Sequence, residues 1–128
     1  MARPGVGWTA LASVPPKAFQ VSLDDRGSFV VVRVRGEVDT ATAPQMGQAI
    51  DAQLARRRRL VLDLSEVEFM DLHGLAVLMR ANRRVRADGG SFALERPAPC
   101  VIRLFELVRM DGEIRILPAD GPGPLEAA

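Results

Sequence analysis

Short β-branched runs alternate with longer amphipathic stretches along this chain, and that alternation restricts the fold more than any other feature. Residues 19–23 (FQVSL) and 29–34 (FVVVRV) read as strands. The intervening Asp24-Asp25-Arg26-Gly27 predicts an antiparallel hairpin, and Gly36-Glu37-Val38-Asp39 ends the second strand. A helix is expected over 43–55, with Thr42 as N-cap and Pro44 in the first turn, where a missing N–H costs nothing. Met46, Ile50 and Leu54 recur every four residues and give it one buried stripe. RLVLDL at 59–64 suits a short buried strand. A second helix spans 72–87, from Asp71 as cap to the Asp88-Gly89-Gly90 stop. Leu75, Leu78, Met79, Asn82 and Val85 share one of its faces, and Arg80, Arg83 and Arg84 lie off it. SFALE at 91–95 is a strand, Pro97 and Pro99 open a third helix reaching 109, and EIRIL at 113–117 is a last strand. The order β-β-α-β-α-β-α-β predicts an α/β fold: a compact mixed β-sheet, mostly parallel with an N-terminal antiparallel hairpin, with helices packed against it.

The chain has 128 residues, room for one domain, placed at 18–118. Residues 1–17 and 119–128, rich in Pro, Gly and Ala, are expected to be a flexible leader and tail. The 17 basic and 16 acidic residues leave a net charge of +1, so no global field draws the protein to nucleic acid or a membrane. Cys100 is the only cysteine and His73 the only histidine, which excludes an internal disulfide, a CxxC motif and a two-histidine catalytic or zinc group. No apolar run approaches the ~20 residues that span a bilayer, and the first 17 lack the continuous apolar core of a signal peptide. A cytoplasmic, non-enzymatic protein without cofactor or metal is expected. Arg56, Arg57, Arg58 and Arg59 read as a solvated helix end beside the negative pole of the dipole. With the arginines of the second helix they also offer a patch for an acidic partner. A nucleic-acid footprint is disfavoured, because there is no recognition motif, no tyrosine and few aromatics for stacking.

Three segments carry a resemblance: GEVDTATAP after a strand, LVLDLSEVEFMDLHGLAVLM, and RPAPCVIRLFELV. Their order and spacing resemble the STAS domains of bacterial anti-sigma factor antagonists, over about residues 19–118. Residues 62–78 are the most specific: an aspartate ending a strand, a short loop with an aromatic, then Met-Asp-x-x-Gly-Leu opening a helix. The resemblance implies a partner switch. The antagonist binds an anti-sigma factor, usually a serine kinase of the histidine-kinase-like ATPase fold, and so releases a sigma factor. The kinase phosphorylates a Ser or Thr directly after the aspartate, placing a charge of about −1.5 to −2 in the docking surface and breaking the complex.

Here that position is Leu72, which has no hydroxyl. The expected docking surface is the 65–74 loop with the start of the second helix: Ser65, Phe69, Met70, Asp71, Leu72, His73 and Gly74, flanked by Asp39, Thr40 and Thr42. Asp71 is both the helix cap and a candidate surface acid. Ser65 is a loop-capping serine or a substitute phosphosite, His73 a neutral surface histidine, and Cys100 a small buried hydrophobe. Asp39, Asp63 and Asp71 are expected at one end of the sheet, but without a histidine or fourth acid in ligand spacing they predict no metal. The alternative function is a scaffold or sensor-complex module that self-associates or binds another regulator. The expected state is a monomer or weak homodimer. Nucleotide binding is disfavoured, because no Gly-rich phosphate loop is present.

Overall fold

The computed structural model describes residues 18–109 and 112–118. The expected leader and tail fall outside them. The elements are β1 (Gln20–Asp25), β2 (Val30–Val38), α1 (Ala43–Leu54), β3 (Arg59–Met70), α2 (Leu72–Ala87), β4 (Ser91–Glu95), α3 (Pro99–Leu107) and β5 (Arg115–Ile116). The order is the expected one. The five strands lie side by side in chain order, with β1 antiparallel to β2 and every later neighbour parallel.

The hairpin turn follows from its residues: the Gly27 N–H donates to the Asp25 carboxylate and Gly27 sits at φ 83°, a region that costs glycine nothing. From β2 onward each strand reaches the next through a helix. Right-handed crossovers in sequential order deliver those helices to the same side of the sheet. All three contribute to one core cluster, in which Val30, Val32, Leu60, Leu62 and Leu94 pack against Met46, Ile50, Leu78, Val101 and Phe105. A smaller cluster of Phe29, Val31, Val61, Ala93 and Leu117 contains no residue of these helices. Its centre is a cross-strand row, Val31 opposite Val61 and Val61 opposite Ala93.

The structure corrects four local expectations. Residues 65–70 are not a loop: β3 continues to Met70, pairing Arg35 with Glu66, Gly36 with Val67, Glu37 with Phe69 and Val38 with Met70. Register shifts at Arg33/Arg35 and Gly36/Glu37 let β2 run alongside it to Val38. Thr42 occupies the N-cap position of α1 but makes no capping bond with its side chain. The third helix stops at Leu107, and the last strand is only Arg115–Ile116. Asn82, expected on the buried face of α2, is buried there and donates from Nδ2 to the Glu113 carbonyl at 3.1 Å, tying the helix to the C-terminal segment.

Candidate functional site

The paired ends of β2 and β3 form the floor of the site. The Asp71 N–H donates to the Val38 carbonyl at 3.1 Å, one step beyond the Val38–Met70 pair. Asp71 then turns the chain into α2. Its backbone is extended (φ −107°, ψ −170°), and its carboxylate accepts the N–H groups of His73 at 2.8 Å and Gly74 at 3.4 Å. A cap of this kind is worth about 1 kcal/mol and satisfies donors that the helix cannot. Gly74 lets the helix start press onto the strands: a Cβ there would lie 2.7 Å from Met70 Cγ and 2.8 Å from Val38 Cγ1.

The turn before α1 borders this helix start. Asp39 holds it, its carboxylate accepting the Ala41 N–H at 2.9 Å and the Thr42 N–H at 3.1 Å. The Thr42 N–H and that of Ala41 keep the Asp39 carboxyl below its ordinary range. The Thr42 hydroxyl faces back into the turn, donating to the Glu37 carbonyl at 2.7 Å and accepting the Asp39 N–H at 2.9 Å. That inward use is why it does not cap α1. Asp39 and Thr42 therefore shape the surface, and Thr40 presents its hydroxyl on it.

Four of the candidate residues here are exposed, and two of them, Thr40 and His73, meet. Phe69, near the end of β3, is 46% exposed, and Leu72, at the start of α2, is 60% exposed. The Thr40 hydroxyl lies 3.3 Å from His73 Nδ1, and Asp71 Oδ2 lies 3.3 Å from the same nitrogen. A proton relay of the Ser–His–Asp kind uses both ring nitrogens, one for each partner. With hydroxyl and carboxylate both at Nδ1, this trio has no relay geometry. Met70 and Gly74 lie underneath, buried, as support. Leu72 also opens a shallow groove of about 380 Å³ along α2, lined by Leu75, Ala76, Met79, Arg80 and Arg83. Arg80 and Arg83, expected off the buried face of α2 and in a basic patch with residues 56–59, border this groove. Their place beside Leu72 follows from the i, i+4, i+8, i+11 spacing of Leu72, Ala76, Arg80 and Arg83, a signal present in the sequence.

Asp63 and Ser65 do not belong to this site. Asp63 pairs with Arg33 and Glu95 in the middle of the sheet, so it lies seven residues, roughly 23 Å of extended strand, from Met70 rather than beside Asp39 and Asp71. It is 2% exposed and sits in an ion network: Arg96 binds it, and Arg33 bridges it at 3.3 Å to Asp24 at 3.2 Å. Arg96 takes up φ 48°, an unusual backbone for a residue with a side chain, in order to reach it. Ser65 lines a small pocket beside this network with Gln20, Ser22, Arg33 and Arg35. Thr40 has a hydroxyl in contact with the helix start, 3.3 Å from His73 Nδ1. Cys100 is partly buried, its Sγ 3.6 Å from the Val67 carbonyl.

Burial pushes the Asp63 carboxyl up, but hydrogen bonds from Ser65 and the Arg96 guanidinium outweigh it and hold the group below the ordinary carboxylate range. A folded-state value below the unfolded one of about 3.9 means that the network stabilises the fold above that pH and is lost as pH falls through the folded value. The thermal midpoint of the wild-type protein, followed by circular dichroism, is thus expected to fall more steeply below about pH 4 than that of Asp63→Asn.

Among the described residues, no three His, Cys, Asp or Glu side chains are grouped to hold a metal ion, and no helix is long and apolar enough to cross a membrane. The family model described as "Mlab, STAS domain" matches residues 21–118. The anti-sigma F factor antagonist of Paenibacillus polymyxa is 30% identical over 101 residues, 77% of this chain and 84% of that protein. The anti-sigma-F factor antagonist RsfB of Mycobacterium tuberculosis is 32% identical over 102 residues, 79% of this chain and 83% of its own. The crystal structure of an anti-sigma factor antagonist from Mycobacterium paratuberculosis superposes with a TM-score of 0.71 at 32% identity, covering 81% of this chain and 89% of that one. The unphosphorylated antagonist SpoIIAA shares the fold, with a TM-score of 0.64 at 23% identity, over 80% of this chain and 90% of its own.

Proposed function

The chain belongs to the STAS domain family, and from that premise we propose that it acts as an anti-sigma factor antagonist, a non-enzymatic cytoplasmic regulator that binds a kinase-type anti-sigma factor and frees a sigma factor. The observation that carries this reading is the exposure of Leu72, His73 and Thr40 at a capped helix start, with Phe69 exposed on the strand that leads into it, on a chain whose relatives of 30–32% identity are named as such antagonists. Exposed apolar side chains of this size on a polar surface favour burial against a protein. Calorimetry or co-purification against the kinase-type anti-sigma factors of the same genome tests it. Saturable one-to-one binding is expected. A folded protein that binds none of them overturns the reading.

The covalent switch is absent at the usual place, because Leu72 offers no hydroxyl to a kinase. Incubation with a bound kinase and ATP is expected to leave residues 71–74 unmodified by intact mass, and Leu72→Ser to gain one phosphate. A phosphate on the wild-type protein, mapped to Thr40 or Ser65, would instead reveal a relocated switch. The same apolar Leu72 also favours a second reading, a module that self-associates or holds another regulator permanently. Light scattering after size exclusion separates the two: a stable large homo-assembly supports the scaffold, and a monomer or weak dimer the antagonist.

A further inference from the structure

The outward stripe of α2 begins at Leu72 and continues through Ala76 to Arg80 and Arg83, all four exposed and all bordering one groove. The helix contains no acidic residue at all. Arg84, on its flank, is neutralised by Asp51 at 2.8 Å. Arg80 and Arg83 have no acidic partner among the described residues. Beyond Leu72, therefore, the same surface carries two guanidinium groups without an acidic partner among the described residues, with Leu75, Ala76 and Met79 lining the groove between.

We propose that the docking surface extends along α2 from Leu72 to Arg83, and that it receives an acidic segment of the partner protein. The partner's apolar anchor covers Leu72, and its carboxylates pair with Arg80 and Arg83. This rests on the antagonist reading for the existence of a partner and goes beyond it by stating the partner's chemistry. The helix rise places Arg80 about 12 Å and Arg83 about 16 Å from Leu72 along the axis. The complementary segment therefore carries its acids two to three helical turns from its apolar anchor. Guanidinium groups are suited to such carboxylates because they bind them in a two-pronged geometry. A nucleic acid is the poorer occupant. Two free arginines neutralise few phosphates, and exposed Leu72 and Phe69 have no use for a polyanion.

The test measures association and dissociation rates of the full chain with the anti-sigma factor found by calorimetry, at about 0.1 M and about 1 M salt, where the screening length drops from about 10 Å to about 3 Å. The variants are Leu72→Asp, the pair Arg80→Glu with Arg83→Glu, and a control pair of equal charge change, Arg86→Glu with Arg103→Glu. Arg86 and Arg103 are exposed but outside the groove. The groove pair is expected to slow association about tenfold or more at low salt and to flatten the salt dependence, with far less effect from the control pair. Replacing the partner's facing acids by lysine is expected to restore binding to the groove pair. A groove pair no worse than the control, with binding still lost on Leu72→Asp, overturns the extended acidic contact and leaves the antagonist reading standing. Absence of any anti-sigma factor binding by the wild-type chain overturns both. Saturable binding of duplex DNA that depends on Arg80 and Arg83 replaces the acidic protein by a nucleic acid and overturns the proposal.

Discussion

A Leu72→Asp variant is expected to fold with unchanged stability and to lose affinity for its partner by on the order of 100-fold. Leu72 is 60% exposed at the first turn of α2, so its side chain contributes little to the core. An aspartate in the first helical turn also interacts favourably with the positive end of the dipole. In the proposed complex the same position is covered. Burying a leucine is worth about 1.5–3 kcal/mol, and about 1.4 kcal/mol is a factor of ten in affinity. Loss of that contact, with the added cost of a carboxylate against an apolar surface, accounts for the expected size. Denaturation curves and calorimetry on the same preparations separate the two effects. An unchanged affinity would remove Leu72 from the interface.

Gly74→Ala should have the opposite profile, a large loss of stability from one added methyl group. The new Cβ would fall at 2.7 Å from Met70 Cγ and 2.8 Å from Val38 Cγ1, and Val38 is a stiff, fully buried strand residue. Overpacking of this kind costs about 1–3 kcal/mol, and the upper end is expected because both neighbours belong to the floor of the site. Gly47→Ala is the natural comparison. Its Cβ would meet Val77 Cγ1 at an ordinary 3.6 Å, and alanine is preferred over glycine inside a helix by about 1 kcal/mol. Urea denaturation is therefore expected to show one glycine replacement destabilising and the other neutral or stabilising. Equal effects would mean that α2 can retreat from the strands without cost.

The parts of this molecule that were legible in the sequence are those with local signals. Asp71 before an apolar periodicity, and Gly89-Gly90 after it, bracket α2 correctly, and Pro99 marks the start of α3. The extension of β3 had no such signal. In SEVEFM only Val67 and Met70 are buried, a spacing of three that departs from the strand's period of two and fits a helix face equally well. It arises because β3 carries an extra residue at two points opposite β2, between Asp63 and Glu66 and between Val67 and Phe69, and such bulges show only in the pairing. The reach of Asp63 to Arg96 was hidden for a related reason: the two residues are 33 apart and meet only when β4 lies next to β3. In the candidate site, Phe69, Leu72 and His73 could be singled out from the motif, but the contact of His73 with Thr40 comes from the turn that Asp39 builds.

The side-by-side arrangement of the strands in chain order bears on how the molecule is made. No strand has to wait for a later one to be inserted between it and its neighbour, so the sheet can lengthen in the direction of synthesis. Pairing each strand with its neighbour in sequence avoids the longer loops that an insertion order would have to close. Everything that forms the patch around Leu72 is contributed by β2, α1, β3 and α2, between Val30 and Ala87. The proposed docking surface is thus encoded upstream of β4, α3 and β5. On the ribosome its components emerge before the last strand does, and the C-terminal elements serve to lock a surface whose parts are already made.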